Sequence, residues 1–279
     1  MIKKLVALVL AGFVVQGAEL KVLSVGNSFS ANAHRYLRQI TEAQGDTIVL
    51  TNAYIGGCDF ERHMRHVKAN ESPYGGKSLK DLLTARKWDI VTIQQASPKS
   101  FKFETFHPYV DELIAYIRQY APQAEIVIHE TWAYRPDHLF WGLKDFDDEK
   151  MYAGVKDAYG RLAKETGFRM IRGGDAMYLA KHSPEWGPFV PDPTFDRKTS
   201  KELPVGEKRS LHCGFSKDKT GKLRFDGFHA NTSGEYLLGC VWYEFLFKKS
   251  CEGNTFRPKG VSDEDAAALQ KVAAKVRAW

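Results

Sequence analysis

Short apolar runs and amphipathic segments succeed each other through most of the chain. Residues 20–25, LKVLSV, are a compact apolar run of strand type, and residues 32–43 carry Leu37, Ile40 and Ala43 at helical spacing. Residues 47–51 form a second strand rich in β-branched side chains. Gly56 and Gly57 then mark a loop, a basic amphipathic turn follows, and residues 73–76 mark another loop. Residues 89–93 read as a third strand, 105–120 as an amphipathic helix ended by Pro122, and 125–129 as a fourth strand. A long helix over 147–165, closed by Gly167, leads to a short fifth strand at 169–171. Strands separated by helices predict an α/β domain whose parallel sheet is covered on both faces.

The rhythm breaks over residues 183–224, which are rich in Pro, Gly, Lys and Asp and have little periodicity. Loops this long inside a compact domain are usually functional or disordered. The last strong helix is expected over 233–247, entered through a capping box formed by Thr232 and Glu235. A helix over 262–278, capped by Ser262, closes the chain. No internal repeat and no flexible linker divides the sequence.

The N-terminus changes the meaning of length and charge. Lys3 and Lys4 precede an apolar run over 5–15 and the small residues Gly17 and Ala18, the pattern of a secretory signal peptide. The run is shorter than the roughly 20 residues that span a bilayer. The expected organisation is therefore a signal peptide at 1–18 and a single domain at 19–279, with a secreted or periplasmic location and no stable membrane anchor after cleavage. The 279 residues carry 40 Lys and Arg against 34 acids, and losing Lys3 and Lys4 leaves 38 against 34. That mild, dispersed excess excludes a nucleic-acid footprint. Export would place Cys58, Cys213, Cys240 and Cys251 in an oxidising compartment. Helical rise is expected to hold Cys240 and Cys251 apart, which favours a bridge between Cys58 and Cys213. No cysteine or histidine spacing has the form of a metal site.

In open parallel sheets, ligands sit beyond the carboxyl ends of the strands. Those positions here hold Ser28 after the first strand, Gly56 and Gly57 beyond the second, Gln94, Gln95, Ala96 and Ser97 after the third, and Trp132, Tyr134 and Arg135 after the fourth. Asp226-Gly227-Phe228-His229 precedes the last strong helix. Ser28 is expected at a strand-to-helix turn, where its hydroxyl would be exposed and its N–H would point into the site. Asp226 and His229, three apart in a tight turn, would let the carboxylate hold one imidazole nitrogen while the other faces the serine. Nucleophile, base and orienting acid thus occur in the order needed for acyl transfer. The hydrolase elbow G-x-S-x-G, a phosphate loop and G-x-G-x-x-G are all absent.

The block VLSVGNSFS around Ser28 and the terminal Asp226-Gly227-Phe228-His229 resemble the first and last blocks of the SGNH (GDSL-type) hydrolases. The resemblance spans essentially the whole mature domain and implies a three-layer α/β/α, flavodoxin-like fold. It implies Ser28 as nucleophile, His229 as base, Asp226 as its orienting acid, and the Ser28 and Gly57 N–H groups as oxyanion donors. Two blocks depart from the family pattern. Gly26-Asn27-Ser28 replaces Gly-Asp-Ser, and Gln94-Gln95-Ala96-Ser97 stands where the family has G-x-N-D, so Gln95 or Gln94 is expected to supply the amide donor. Both variants are similar to those of a bacterial secreted subgroup associated with polysaccharide degradation.

The expected function is a secreted serine esterase acting on acyl esters, chiefly O-acetyl groups on carbohydrate, through an acyl-enzyme. Trp132, Tyr134 and Arg135 are candidate sugar-binding residues. The chemistry requires no metal or organic cofactor, and the expected partner is a small-molecule or glycan ester. Acyl transfer to a sugar hydroxyl and glycan binding without catalysis are the alternatives.

Overall fold

The computed structural model describes residues 19–277; the expected signal peptide at 1–18 lies outside them. The chain runs β1 (Glu19–Gly26), α1 (Ser28–His34), α2 (Leu37–Ala43), β2 (Thr47–Tyr54), α3 (Phe60–Lys68), α4 (Leu79–Thr84), β3 (Ile90–Ile93), α5 (Tyr109–Tyr120) and β4 (Glu125–His129). It continues through α6 (Asp148–Thr166), β5 (Met170–Ile171), α7 (Gly173–His182), β6 (His212–Lys217), β7 (Leu223–Ala230), α8 (Thr232–Phe247) and α9 (Asp263–Lys275). Strands β1 to β5 form one parallel sheet in the order β2-β1-β3-β4-β5.

This order follows from how the strands are buried. Ile90, Val91, Thr92 and Ile93 of β3 are all buried, as are Val22, Leu23, Ser24 and Val25 of β1 and residues 126–129 of β4. Strands covered on both faces lose the polar alternation of a half-exposed sheet. The first crossover runs from β1 outward to β2, and the second returns past β1 to β3. Right-handed crossovers then place helices on opposite faces. Helix α8 packs on α1, α2, α7 and α9, while α5 packs on α3 and α4. The three-layer α/β/α architecture is the one expected from the sequence.

Several local expectations are corrected. The helix over 32–43 is two short helices, α1 and α2, and α1 begins at Ser28 itself. The helix expected from 105 starts at Tyr109, because Pro108 disfavours helical backbone in the residue before it. Helices α3, α4 and α7 were not foreseen as helices. The segment 183–224 holds β6 and the start of β7, which pair antiparallel as a two-stranded sheet. The cap of α8 is Asn231, whose side chain accepts from the Gly234 N–H, while Glu235 accepts from Asn32 at 2.8 Å, so the Thr232 and Glu235 box does not form. The Cys58–Cys213 bridge is absent: Cys58 is buried, Cys213 exposed, and both are free. The chain instead turns back after Lys248, which adopts left-handed backbone, and brings the buried Cys251 thiol near the buried Cys240, both of them free. Among the described residues no helix is long and apolar enough to cross a membrane.

Candidate active site

The strand order reverses between β2-β1 and β1-β3, and the crevice beyond β1 and β3 is where such sheets bind ligands. Ser28 stands there as the first residue of α1, after the Asn27 cap. Gly26 is the last residue of β1, and a Cβ on it would lie 2.8 Å from Ser30 Oγ and 2.9 Å from Gln94 Oε1. Only glycine lets the turn fold so tightly against β3.

The second half of the site comes from β7. His229 Nε2 lies 2.7 Å from Ser28 Oγ, and His229 Nδ1 lies 2.8 Å from Asp226 Oδ2. Asp226 and His229 belong to β7 rather than to a free turn, though Asp226 Oδ1 still accepts the Phe228 and His229 N–H groups at 3.3 and 3.0 Å. Burial pushes the Asp226 carboxyl up, but the hydrogen bonds from the His229 ring and backbone outweigh it and hold the group below the usual carboxylate range. An ionised Asp226 can only accept, so it selects the imidazole tautomer with the proton on Nδ1 and a bare Nε2 facing the serine.

A cleft of about 500 Å³ opens over Ser28 and His229. Asn27, Ser28, Phe29, Gly56, Gly57, Ala96, Ser97 and Pro98 line one part of it, and Tyr54, Tyr134, His138, Phe228 and His229 the rest. Among the described residues no Lys, Arg, Asp or Glu lines it. Gly57 holds a φ of +62°, which turns the loop after β2 into the cleft. Burial, then the charge of Arg197, lowers the His138 imidazole, and His138 Nδ1 accepts the Phe140 N–H at 2.9 Å, leaving its proton on Nε2.

Not every residue foreseen for the site is in it. Gln95 is fully buried: its Oε1 accepts from the Phe60 and Ala96 N–H groups and its Nε2 donates to Thr105 O. Gln94 is buried too, with Nε2 donating to Asn27 Oδ1 and Oε1 taking the hydrogen bond of His129 Nδ1. Both amides are taken up by these partners and neither Gln94 nor Gln95 lines the cleft, whereas Ser28 and Gly57 do. Trp132 is buried, stacks on Phe29 at 4.1 Å and donates Nε1–H to Phe228 O at 2.9 Å. Arg135 is buried under bidentate contacts to Asp137 and Glu207, with its guanidinium over the rings of Phe189, Phe215 and Phe225. Trp132 and Arg135 thus hold β7 and its surroundings, and of the three Tyr134 lines this cleft.

Tyr54, His138 and Phe228 line the cleft without a role assigned from the sequence, and Ser97, beyond the third strand, lines it as its position implies. Phe228 stood inside a singled-out block, but nothing in its identity marks a residue as cleft-facing. Among the described residues no group of His, Cys, Asp or Glu is arranged to hold a metal ion.

The family described as "Domain of unknown function (DUF4886)" matches residues 21–171. A crystal structure of a DUF4886 family protein from Bacteroides uniformis is 28% identical, over 92% of this chain and 94% of that one, with a TM-score of 0.73. A protein from Slackia heliotrinireducens described as a candidate SGNH hydrolase is 16% identical, over 81% of this chain and 98% of its own, with a TM-score of 0.52, a likeness that extends to the fold. No curated protein matches the chain.

Proposed function

The chain belongs to the DUF4886 family, and from that premise we propose that it is a serine esterase that removes short acyl groups, acetyl above all, from neutral carbohydrate esters. The observation that carries this reading is the unbroken line from Ser28 Oγ to His229 Nε2 to Asp226 Oδ2, at 2.7 and 2.8 Å, on the floor of an open cleft. Ser28 Oγ attacks the ester carbonyl carbon as its proton passes to His229 Nε2. The oxygen that becomes negative accepts from the Ser28 and Gly57 N–H groups. The intermediate collapses, the C–O bond to the alcohol breaks, and His229 returns the proton to the departing oxygen. Water, deprotonated by the same imidazole, then releases the acid and restores Ser28.

The lining supports the substrate class. Gly56, Gly57, Ala96, Ser97 and Pro98 leave room beside the serine for a small acyl group, and the exposed Tyr54, with Phe228, gives a sugar aromatic surface to pack on. A cleft without Lys, Arg, Asp or Glu favours an uncharged ester. The leader-like residues 1–18 would deliver the enzyme outside the cytoplasm, where acetylated glycans are found.

The test compares wild type with Ser28→Ala on a chromogenic acetyl ester and on an acetylated oligosaccharide. Wild type should release acetate from both, Ser28→Ala should be slower by at least about 10³-fold, and the rate should fall as the acyl chain lengthens. Equal rates for the two proteins would end the esterase reading.

A further inference from the structure

Beneath Ser28 lies a file of buried polar side chains that the acyl-transfer chemistry does not use. Asn27, Gln94 and His129 are each no more than 1% exposed. Asn27 Nδ2 donates to Cys58 O at 2.8 Å, and Asn27 Oδ1 accepts from the Phe29 N–H at 3.0 Å and from Gln94 Nε2 at 2.8 Å. Gln94 Oε1 is 3.0 Å from His129 Nδ1. The direction of every bond follows from the two backbone groups at one end. A carbonyl can only accept and an N–H can only donate, so Cys58 O and Phe29 N fix which side of the Asn27 amide is nitrogen. With Asn27 Oδ1 facing it, Gln94 must present Nε2 there, and its Oε1 must then accept from a protonated His129 Nδ1.

We infer that Asn27, Gln94 and His129 form a one-way chain of hydrogen bonds that positions the catalytic turn, holding the loop of Gly57 and Cys58 in register with Ser28. The inference rests on the esterase reading for its effect on turnover, though the bonds themselves do not. Asn27 is the joint: one amide caps the helix that begins with Ser28 and grips the carbonyl next to Gly57, so the two oxyanion N–H groups share a single side chain as their spacer. It also explains why two departures from the family pattern occur together. An ionised carboxylate in place of the Asn27 amide would have no proton for Cys58 O, and Gln94 supplies a donor to Asn27 Oδ1 while taking the imidazole bond on its other side. These residues are positioning residues, since none lies where substrate binds except through the Asn27 backbone.

The histidines and the thiol around the chain stay neutral, whereas Asp59 and Arg62 beside Cys58 carry charge: burial pushes the Asp59 carboxyl up, but hydrogen bonds from Lys99 and the Arg62 N–H hold it below the usual carboxylate range. Burial pushes the imidazoles of His129 and His63 down to about 3 and that of His34 down to about 4. The Cys58 thiol is pushed up to about 12, again chiefly by burial. Glu130, next to His129, is raised to about 8 by burial and then by the charge of Asp175 and titrates in wild type as well, so a carboxylate placed in the chain is read as the difference between variant and wild type at each pH.

The experiment uses full-length Asn27→Asp and Gln94→Glu, measured for thermal midpoint and for hydrolysis of a chromogenic acetyl ester across pH. Protonated, either introduced acid can donate where the amide did. Ionised, the carboxylate of Asn27→Asp opposes Cys58 O, and that of Gln94→Glu opposes Asn27 Oδ1. Both variants should fall progressively behind wild type in thermal midpoint as pH rises, by about 5 °C or more once ionised. Over the same range kcat should drop by about 10²-fold with KM nearly unchanged, as expected when an oxyanion donor is displaced. Gln94→Glu, one bond further from Ser28, carries the test alone where Asn27→Asp does not fold. A thermal gap independent of pH, or Gln94→Glu gaining stability as pH rises, would show that the chain does not run in this direction and overturn the inference. Wild-type kcat in both variants would overturn the positioning role. An absence of ester hydrolysis by wild type above Ser28→Ala removes the esterase reading instead, and the thermal arm still decides the chain.

Discussion

On the proposed mechanism an imidazole serves Ser28 as a base only in the tautomer that leaves Nε2 bare, and the hydrogen bond between Asp226 and His229 Nδ1 selects it. This gives a sharper expectation than loss of a charge. In Asp226→Asn, Oδ1 would go on accepting the Phe228 and His229 N–H groups at their present 3.3 and 3.0 Å, so the new amide nitrogen would face His229 Nδ1. The ring would then have to accept there and carry its proton on Nε2, pointing at the hydroxyl it must deprotonate. Turnover should fall by about 10⁴-fold, as in other triads whose orienting acid becomes an amide. Asp226→Ala imposes no tautomer and should retain more activity than Asp226→Asn, while His229→Ala should lie near Ser28→Ala. Single-turnover release of chromophore from an acetyl ester measures all four; equal rates for Asp226→Asn and Asp226→Ala would show that tautomer selection is not the role of Asp226.

Between elements, β7 is delivered to β1 by the loop after β4. The Arg135 N–H donates to Gly227 O at 2.7 Å, Trp132 Nε1 donates to Phe228 O, and His212 Nε2 donates to Ala133 O at 3.0 Å. The Arg135 guanidinium, 1% exposed, ties Asp137 to Glu207 and so joins that loop to the long excursion before β6. Arg135→Met keeps the packing volume but strands both carboxylates. It should lower stability by about 3 kcal/mol and reduce kcat, because the segment carrying Asp226 and His229 loses its clamp; a thermal melt and a kcat determination read the two effects, and a variant with wild-type values for both would contradict the clamp. The excursion was not legible as structure because half of the six β6 residues are exposed, only Gly214 is buried, and the strand pairs with β7, so no buried stripe marks it. Helix α7 was hidden by its opening Gly173 and Gly174. Those glycines are required because a Cβ would meet Glu130 O at 2.9 Å and Thr131 O at 2.2 Å. By contrast β1, β4 and α6 were legible to within two residues, since burial on both sheet faces, or one helix stripe closed by Gly167, writes itself into composition. In the site, residue types named Ser28, Asp226 and His229, but they also named Gln94 and Gln95 as donors, because a side chain's chemistry does not record what its neighbours have already taken.

Across the whole molecule, packing a parallel sheet on both sides buries histidines and one acid whose titration must appear in stability. His34 and His212 are pushed down to about 4, and His63 and His129 to about 3, in each case chiefly by burial. Each is neutral in the fold but takes a proton near 6.5 when unfolded, so its contribution is present above 6.5 and is lost as pH falls toward 3 to 4. Glu130 behaves oppositely. Burial, with the charge of Asp175 next, raises its carboxyl to about 8 against an ordinary 4.5, so its contribution is present at low pH and is lost as pH climbs from 4.5 to about 8. Above 6.5 only the Glu130 slope remains of these five, and below it four histidines outweigh one glutamate, each proton being worth about 1.4 kcal/mol per pH unit. Thermal midpoints should therefore peak near pH 6.5, decline gently toward pH 8 and collapse toward pH 4. Glu130→Gln should flatten the alkaline side while leaving the acid collapse in place. A melt series from about pH 4 to 9 in which stability still rises between 6.5 and 8, or in which Glu130→Gln keeps the alkaline decline, would assign that decline to other groups than the acid beneath α7.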